Sequence, residues 1–180
     1  MIIENEFDVA ATPGEVYALM LDPERIATCI AGAEVTGRRD DGSYDANVTV
    51  KLGPVKMKYR GTISIVESDA EARTASMLAK GAEERGQGTA QAKLNMAVSQ
   101  REAGSHVTVA ADMLITGRVA LMGRGVMQDV ARRMIDQMAL NMEALLTGAE
   151  PAEQDDAVSA GSLLGSVVAD RAKRIFRPGE

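Results

Sequence analysis

The strongest constraint on the fold is a change of hydrophobic period late in the chain. Tyr44, Ala46, Val48, Val50 and Leu52 alternate with polar residues, and Gly53-Pro54 marks a turn. Val55, Met57, Tyr59, Gly61, Ile63 and Ile65 then alternate with Lys56, Lys58, Arg60, Thr62 and Ser64. The same period-2 pattern returns at Ala75, Met77 and Ala79, at Ala90 to Val98, and at Val107 to Ile115, with a hairpin turn at Glu102-Ala103-Gly104-Ser105. Such strands have one dry and one wet face, as in an antiparallel meander. From about Val119 to Leu146 the period becomes 3.6, with Met127, Val130, Met134, Met138, Asn141 and Leu145 on one side. That helix is about 35–40 Å long at 1.5 Å per residue.

Ahead of the meander, Ile2 to Ala11 reads as a strand carrying Ile3, Phe7 and Val9. Thr12-Pro13, with Glu15 in the first turn, opens a helix, and Asp22-Pro23 opens a second, shorter one running to about Cys29. The order is one strand, two short helices, five or six strands and one long helix. A sheet gripping a C-terminal helix is an α+β architecture. It resembles the helix-grip fold of the START-like (SRPBCC, Bet v 1-like) superfamily. That resemblance implies an internal apolar cavity between sheet and helix.

The expected inner faces are unusually small. Ala46, Gly61, Ala75, Ala79, Ala90, Ala92 and Ala111 all fall there, and the chain has only two Phe, three Tyr and no Trp against eleven Met. Interiors pack at about 0.75 density, so either the helix lies close on the sheet or space is left for a ligand. Met is flexible and polarizable, which suits both a loose core and a pocket for variable apolar ligands. The candidate ligand-binding set is Met57, Tyr59, Met77, Met96, Met113, Met127, Val130, Met134 and Met138. Tyr59 is the main polar handle, able to hold a ligand carbonyl through its hydroxyl. Tyr44, Gln137 and Asn141 are lesser candidates.

Catalytic and metal chemistry finds little support. One His and one Cys exclude a zinc site built only from those residues, an internal disulfide and a Cys-ligated cluster. Cys29 reads as a small buried hydrophobe, and His106, beside the hairpin turn, as exposed. Glu83-Glu84 reads as a solvated turn, and Gly123-Arg124-Gly125 as the opening of the long helix. No Gly-x-Ser-x-Gly elbow or phosphate loop occurs. The net charge of −6 argues against a general nucleic-acid binder. The first residues lack a basic and apolar leader, and no stretch reaches the roughly 18 apolar residues of a membrane span. A cytoplasmic protein is expected.

The organisation breaks near Gly148. Residues 1–147 read as one ligand-binding domain and residues 148–161 as an acidic flexible linker. Residues 162–180 read as a basic amphipathic tail helix. Leu163, Leu164, Val167, Val168, Ile175 and Phe176 share one face, with Arg171, Lys173 and Arg174 supplying charge. Such a segment suits an anionic membrane surface or a partner protein. Near an anionic leaflet each basic residue contributes about 1 kcal/mol, enough for reversible association.

Three motifs add a family resemblance. They are Pro13-x-x-Val16-Tyr17 with Asp22-Pro23-Glu24-Arg25 and Cys29-Ile30-Ala31-Gly32-Ala33-Glu34; Gly53-Pro54-Val55-Lys56-Met57-Lys58-Tyr59-Arg60-Gly61; and Gly117-Arg118-Val119-Ala120, Gly123-Arg124 and Asp129-Val130-Ala131. In order and over most of residues 1–147, they resemble CoxG, a family of carbon monoxide dehydrogenase subunits. Ala31 departs from the family's usual Pro. The resemblance implies a partner, a molybdenum-containing carbon monoxide dehydrogenase. It further implies recruitment to the inner face of the cytoplasmic membrane and, as bound cofactor, menaquinone or another prenylquinone. The resulting expectation is a non-catalytic quinone carrier. A ligand-free recruitment or assembly adaptor and a START-like cyclase or hydrolase are the alternatives.

Overall fold

The computed structural model describes residues 1–52 and 55–149. The expected Gly53-Pro54 turn, nearly all of the linker and the whole tail helix lie outside the described residues.

The chain begins with β1 (Ile2–Val9), whose residues 3, 7 and 9 turn inward. Thr12 then caps α1 (Pro13–Met20). Its Oγ1 accepts from the Glu15 backbone N–H at 3.4 Å, and the Glu15 carboxylate accepts from the Thr12 N–H at 3.1 Å. This reciprocal box satisfies two N–H groups that the helix itself leaves open. Asp22 caps α2 (Pro23–Cys29), accepting from the Arg25 N–H.

Six further strands follow: β2 (Ala33–Arg38), β3 (Tyr44–Leu52), β4 (Val55–Asp69), β5 (Thr74–Glu83), β6 (Thr89–Arg101) and β7 (Gly104–Ile115). With β1 they form a seven-stranded sheet in the order β1-β7-β6-β5-β4-β3-β2, antiparallel throughout. Six strands after the short helices fall within the expected five or six, and β2 is the one outside the alternating runs named above. It is a six-residue edge strand that keeps its in–out alternation, with a register shift against β3 between Val35 and Gly37. Strands β4, β5 and β6 outrun their apolar stretches because their polar ends still pair with neighbours.

A 3-10 turn (Val119–Met122) leads into α3 (Arg124–Thr147), with Gly123 as N-cap at φ 83°. The expected single helix from Val119 is therefore broken, because a left-handed backbone at Gly123 cannot continue a helix. Helix α3 ends at Gly148 in the left-handed conformation.

The two halves of α3 do different work. Every buried residue of the helix lies in its last three turns: Met138, Ala139, Asn141, Met142 and Ala144. There it packs against β1, α1 and α2. Met142, Leu19, Val16 and Val107 are wholly enclosed, each contributing about 1.5–3 kcal/mol by leaving water. Leu145 departs from expectation and is exposed, while Met142 is buried. Packing against three elements instead of one sheet face rotates the buried sector towards Met142. Asn141, a lesser candidate for ligand contact, instead donates to the Cys29 carbonyl at 2.9 Å and accepts from Gln137 at 3.2 Å. It pins α3 to the end of α2.

Candidate functional site: an apolar pocket under the first half of the long helix

Between the sheet and the first half of α3 lies a pocket of about 340 Å3. Its floor is made of small residues brought into line by strand register. One row crosses the sheet as Val35, Ala46, Gly61, Gly81, Ala90 and Ile115, each paired with the next. A second row runs Ile63, Ala79, Ala92 and Met113. All ten line the pocket. The alanine surplus of the sequence is thus concentrated under the helix. Gly61 is required for a further reason. A Cβ there would lie 1.8 Å from the Lys80 carbonyl oxygen, so β4 and β5 meet too closely for any side chain.

The roof and walls come from α3 and α2. Met127, Val130, Ala131 and Met134 face down from the helix, Val119 closes one end, and Ile26, Ala27 and Ile30 close the side. Among the expected ligand contacts, Tyr59, Met113, Met127, Val130 and Met134 line this pocket. The other four are packed elsewhere. Met96 and Met138 belong to the main core with Phe7, Tyr17 and Val98, and the partly buried Met77 packs against it. Met57 is 2% exposed in a smaller cluster with Val119, against which Tyr59, Met122 and Met127 pack.

Tyr59 supplies the polar feature. Its Oη is shielded from solvent and is the one buried side-chain polar atom without a hydrogen-bond partner among the described residues. Tyr17 shows the usual solution, donating to the Thr74 carbonyl at 3.0 Å. Burial first, and then the nearby Glu83 carboxylate, push the Tyr59 hydroxyl above its usual range. It is therefore a neutral donor at physiological pH. An unpartnered donor in an apolar setting is ready for an acceptor such as a carbonyl oxygen.

The remaining polar candidates are structural. Glu83 is buried, not solvated as expected, and accepts from the N–H groups of Arg85 and Gln87 at 2.8 and 3.1 Å. It holds the β5–β6 turn together, whereas its neighbour Glu84 pairs with Arg60 at 2.8 Å. His106 is not free either. Its Nδ1 lies 2.7 Å from Asp8 Oδ1, and Arg101 also bridges to Asp8. These partners, His106 foremost, hold the Asp8 carboxyl below its ordinary range. Tyr44 lies under the Arg38 guanidinium at 5.5 Å. Cys29 is buried, and burial raises its thiol pKa. No group of three or more potential metal ligands occurs among the described residues. No described helix is long and apolar enough to cross a membrane.

An antiparallel sheet with an apolar pocket beneath a C-terminal helix defines a START-like, helix-grip protein, and solved structures agree. A conserved protein from Geobacillus kaustophilus superposes with a TM-score of 0.72 at 19% identity, covering 82% of this chain and 96% of that one. The Zhui aromatase/cyclase from Streptomyces sp. R1128 gives 0.57 at 12% identity, covering 83% and 99%. A START superfamily protein from Mycobacterium smegmatis gives 0.54 at 13% identity, covering 82% and 97%. These likenesses establish the fold alone. No curated protein gives a significant sequence match. Residues 6–147 match the carbon monoxide dehydrogenase CoxG family, and the chain belongs to that family.

Proposed function

We propose that the chain is a non-catalytic carrier of a prenylquinone, menaquinone or a relative, and links a carbon monoxide dehydrogenase to the inner face of the cytoplasmic membrane. Family and fold support a carrier or adaptor role. The observation that carries the finer reading is the unpartnered Tyr59 hydroxyl beside an otherwise apolar pocket. A quinone offers a flat ring for the Ala/Gly floor, sulfur contacts for Met113, Met127 and Met134, and a carbonyl for Tyr59. At about 340 Å3 the pocket is near the low end of the ~300–1,000 Å3 typical of small-molecule sites. It suits the ring and the first part of a tail, with the rest extending beyond.

The described lining is dominated by Ala, Val, Ile and Met, which suits holding an apolar ligand without acid–base chemistry. Membrane association is assigned to the tail at residues 162–180, through Arg171, Lys173 and Arg174 and the apolar face of Leu163, Leu164, Val167, Val168, Ile175 and Phe176. Calorimetric titration of the full chain with a short-tailed naphthoquinone tests the carrier. Saturable one-to-one binding, competed by a longer-tailed homologue, supports it. Heat no greater than dilution leaves the ligand-free adaptor.

A further inference from the structure

The 3-10 turn between β7 and α3 presents Leu121 almost bare to solvent, at 86% exposure. Five residues on, Val126 in the first turn of α3 is 43% exposed. Both sit within the segment that runs from Val119 to Met127, two residues of the pocket wall. An aliphatic tip this exposed at the rim of a ligand site has no role in the core.

The charges around it have one dominant sign. Arg118 and Arg124 flank the turn and are exposed. Val50 and Val55 of the β3–β4 hairpin pack against the cluster containing Val119, which brings the paired Lys51 and Lys56 to the same end. Three acids at this end are already engaged: Asp112 with the Met1 ammonium, Glu84 with Arg60, and Glu83 with the N–H groups of its own turn, which bonds to Arg118 through Gln87. Asp129 stands one turn further along α3. On a chain of net charge −6 this is a local reversal.

We infer that this end of the fold, with Leu121 and Val126 at its tip and Arg118, Arg124, Lys51 and Lys56 around them, docks on an anionic lipid surface. Aliphatic side chains enter the acyl boundary while the basic groups meet lipid phosphates. The pocket wall then touches the bilayer directly, so an apolar ligand crosses little water on its way in. The inference rests on the proposed membrane association but concerns a second surface, independent of the tail.

The test uses the full chain with Leu121→Cys carrying an environment-sensitive nitrobenzoxadiazole label. Cys29, at 1% exposure, does not compete for the label. A control label at Glu102→Cys sits in the β6–β7 turn at the opposite end. A blue shift and a several-fold intensity gain are expected at position 121 with phosphatidylglycerol vesicles. Neither is expected with phosphatidylcholine alone, nor at position 102. A chain that floats with anionic vesicles while the position 121 label stays aqueous overturns the docking face and leaves tail-mediated association standing. A chain that does not float overturns both. A shift on adding the dehydrogenase without vesicles assigns the face to a protein and overturns the inference. Leu121→Glu, with an unchanged circular dichroism spectrum and melting temperature, is expected to weaken vesicle partitioning roughly tenfold. Unchanged partitioning overturns the inference as well.

Discussion

Replacing Tyr59 by Phe separates a ligand-facing hydroxyl from a structural one, because the two roles predict opposite signs. In the ligand-free protein Tyr59 Oη is buried and unpartnered. An unsatisfied buried hydroxyl costs about 1–3 kcal/mol, and the lower bound applies because Tyr59 as a whole residue keeps some exposure although its Oη does not. Removing it stabilises the delipidated protein by about 1 kcal/mol, a rise in Tm of about 2–4 °C for a domain of this size. The same change deletes a hydrogen bond to a ligand carbonyl, worth about 0.5–1.5 kcal/mol net. Quinone affinity then falls roughly three- to tenfold. Thermal melts by circular dichroism and calorimetric titration read the two effects on the same samples. A fall in Tm with unchanged affinity would show that the hydroxyl serves the fold, and the case for a ligand pocket would collapse.

Other expectations follow from the same geometry. Gly61→Ala is expected to destabilise by more than about 2 kcal/mol in urea melts, since its Cβ meets the Lys80 carbonyl oxygen. Gly81→Ala, whose nearest contact is 3.3 Å, costs much less, and equal losses would refute the close approach of β4 and β5. Asn141→Ala strands the buried Cys29 carbonyl and is expected to cost about 1–3 kcal/mol; a neutral result would mean α3 is not pinned there. Tyr59 has a raised folded pKa, so its contribution is full below the ordinary tyrosine value near 10 and is lost as pH rises through the folded value. The alkaline limb of stability should therefore be shallower in Tyr59→Phe, and identical limbs would contradict the burial of that hydroxyl. Deleting residues 157–180 is expected to cut binding to anionic liposomes by two to three orders of magnitude, at about 1 kcal/mol per basic residue. Unchanged flotation would remove the tail from the membrane interaction.

The architecture is legible in the sequence because its two periods are local. Alternation at residues 44–52 and 55–65 can only face one side of a strand, and Thr12-Pro13 with Glu15 writes its own cap. Strand β2 is hidden because it is a six-residue edge strand whose inner positions, Ala33, Val35 and Gly37, are small and only partly buried. The methionines show a different limit. Period assigns a face, not a position along a curved sheet. Met77 and Met96 therefore look equivalent to Met113, although Met96 lies in the main core with Met77 packed against it and Met113 lines the pocket. Glu83 reads as solvated because its partners are the backbone N–H groups of its own turn, which no residue pattern announces. What the sequence does carry is the run of small inner-face residues: Ala46, Gly61, Ala79, Ala90 and Ala92 become the floor, joined by Gly81, whereas Ala75 lies in the main core and Ala111 lies outside the pocket lining.

The central claim is that the space over this floor holds a prenylquinone in the native protein. The most direct measurement is mass spectrometry of an organic extract from full-length protein, purified without detergent from a menaquinone-producing host. Prenylquinone approaching one per chain is predicted, together with its loss in an Ala90→Phe variant that keeps the wild-type fold. An extract with no quinone, or the same quinone content in Ala90→Phe, would contradict it.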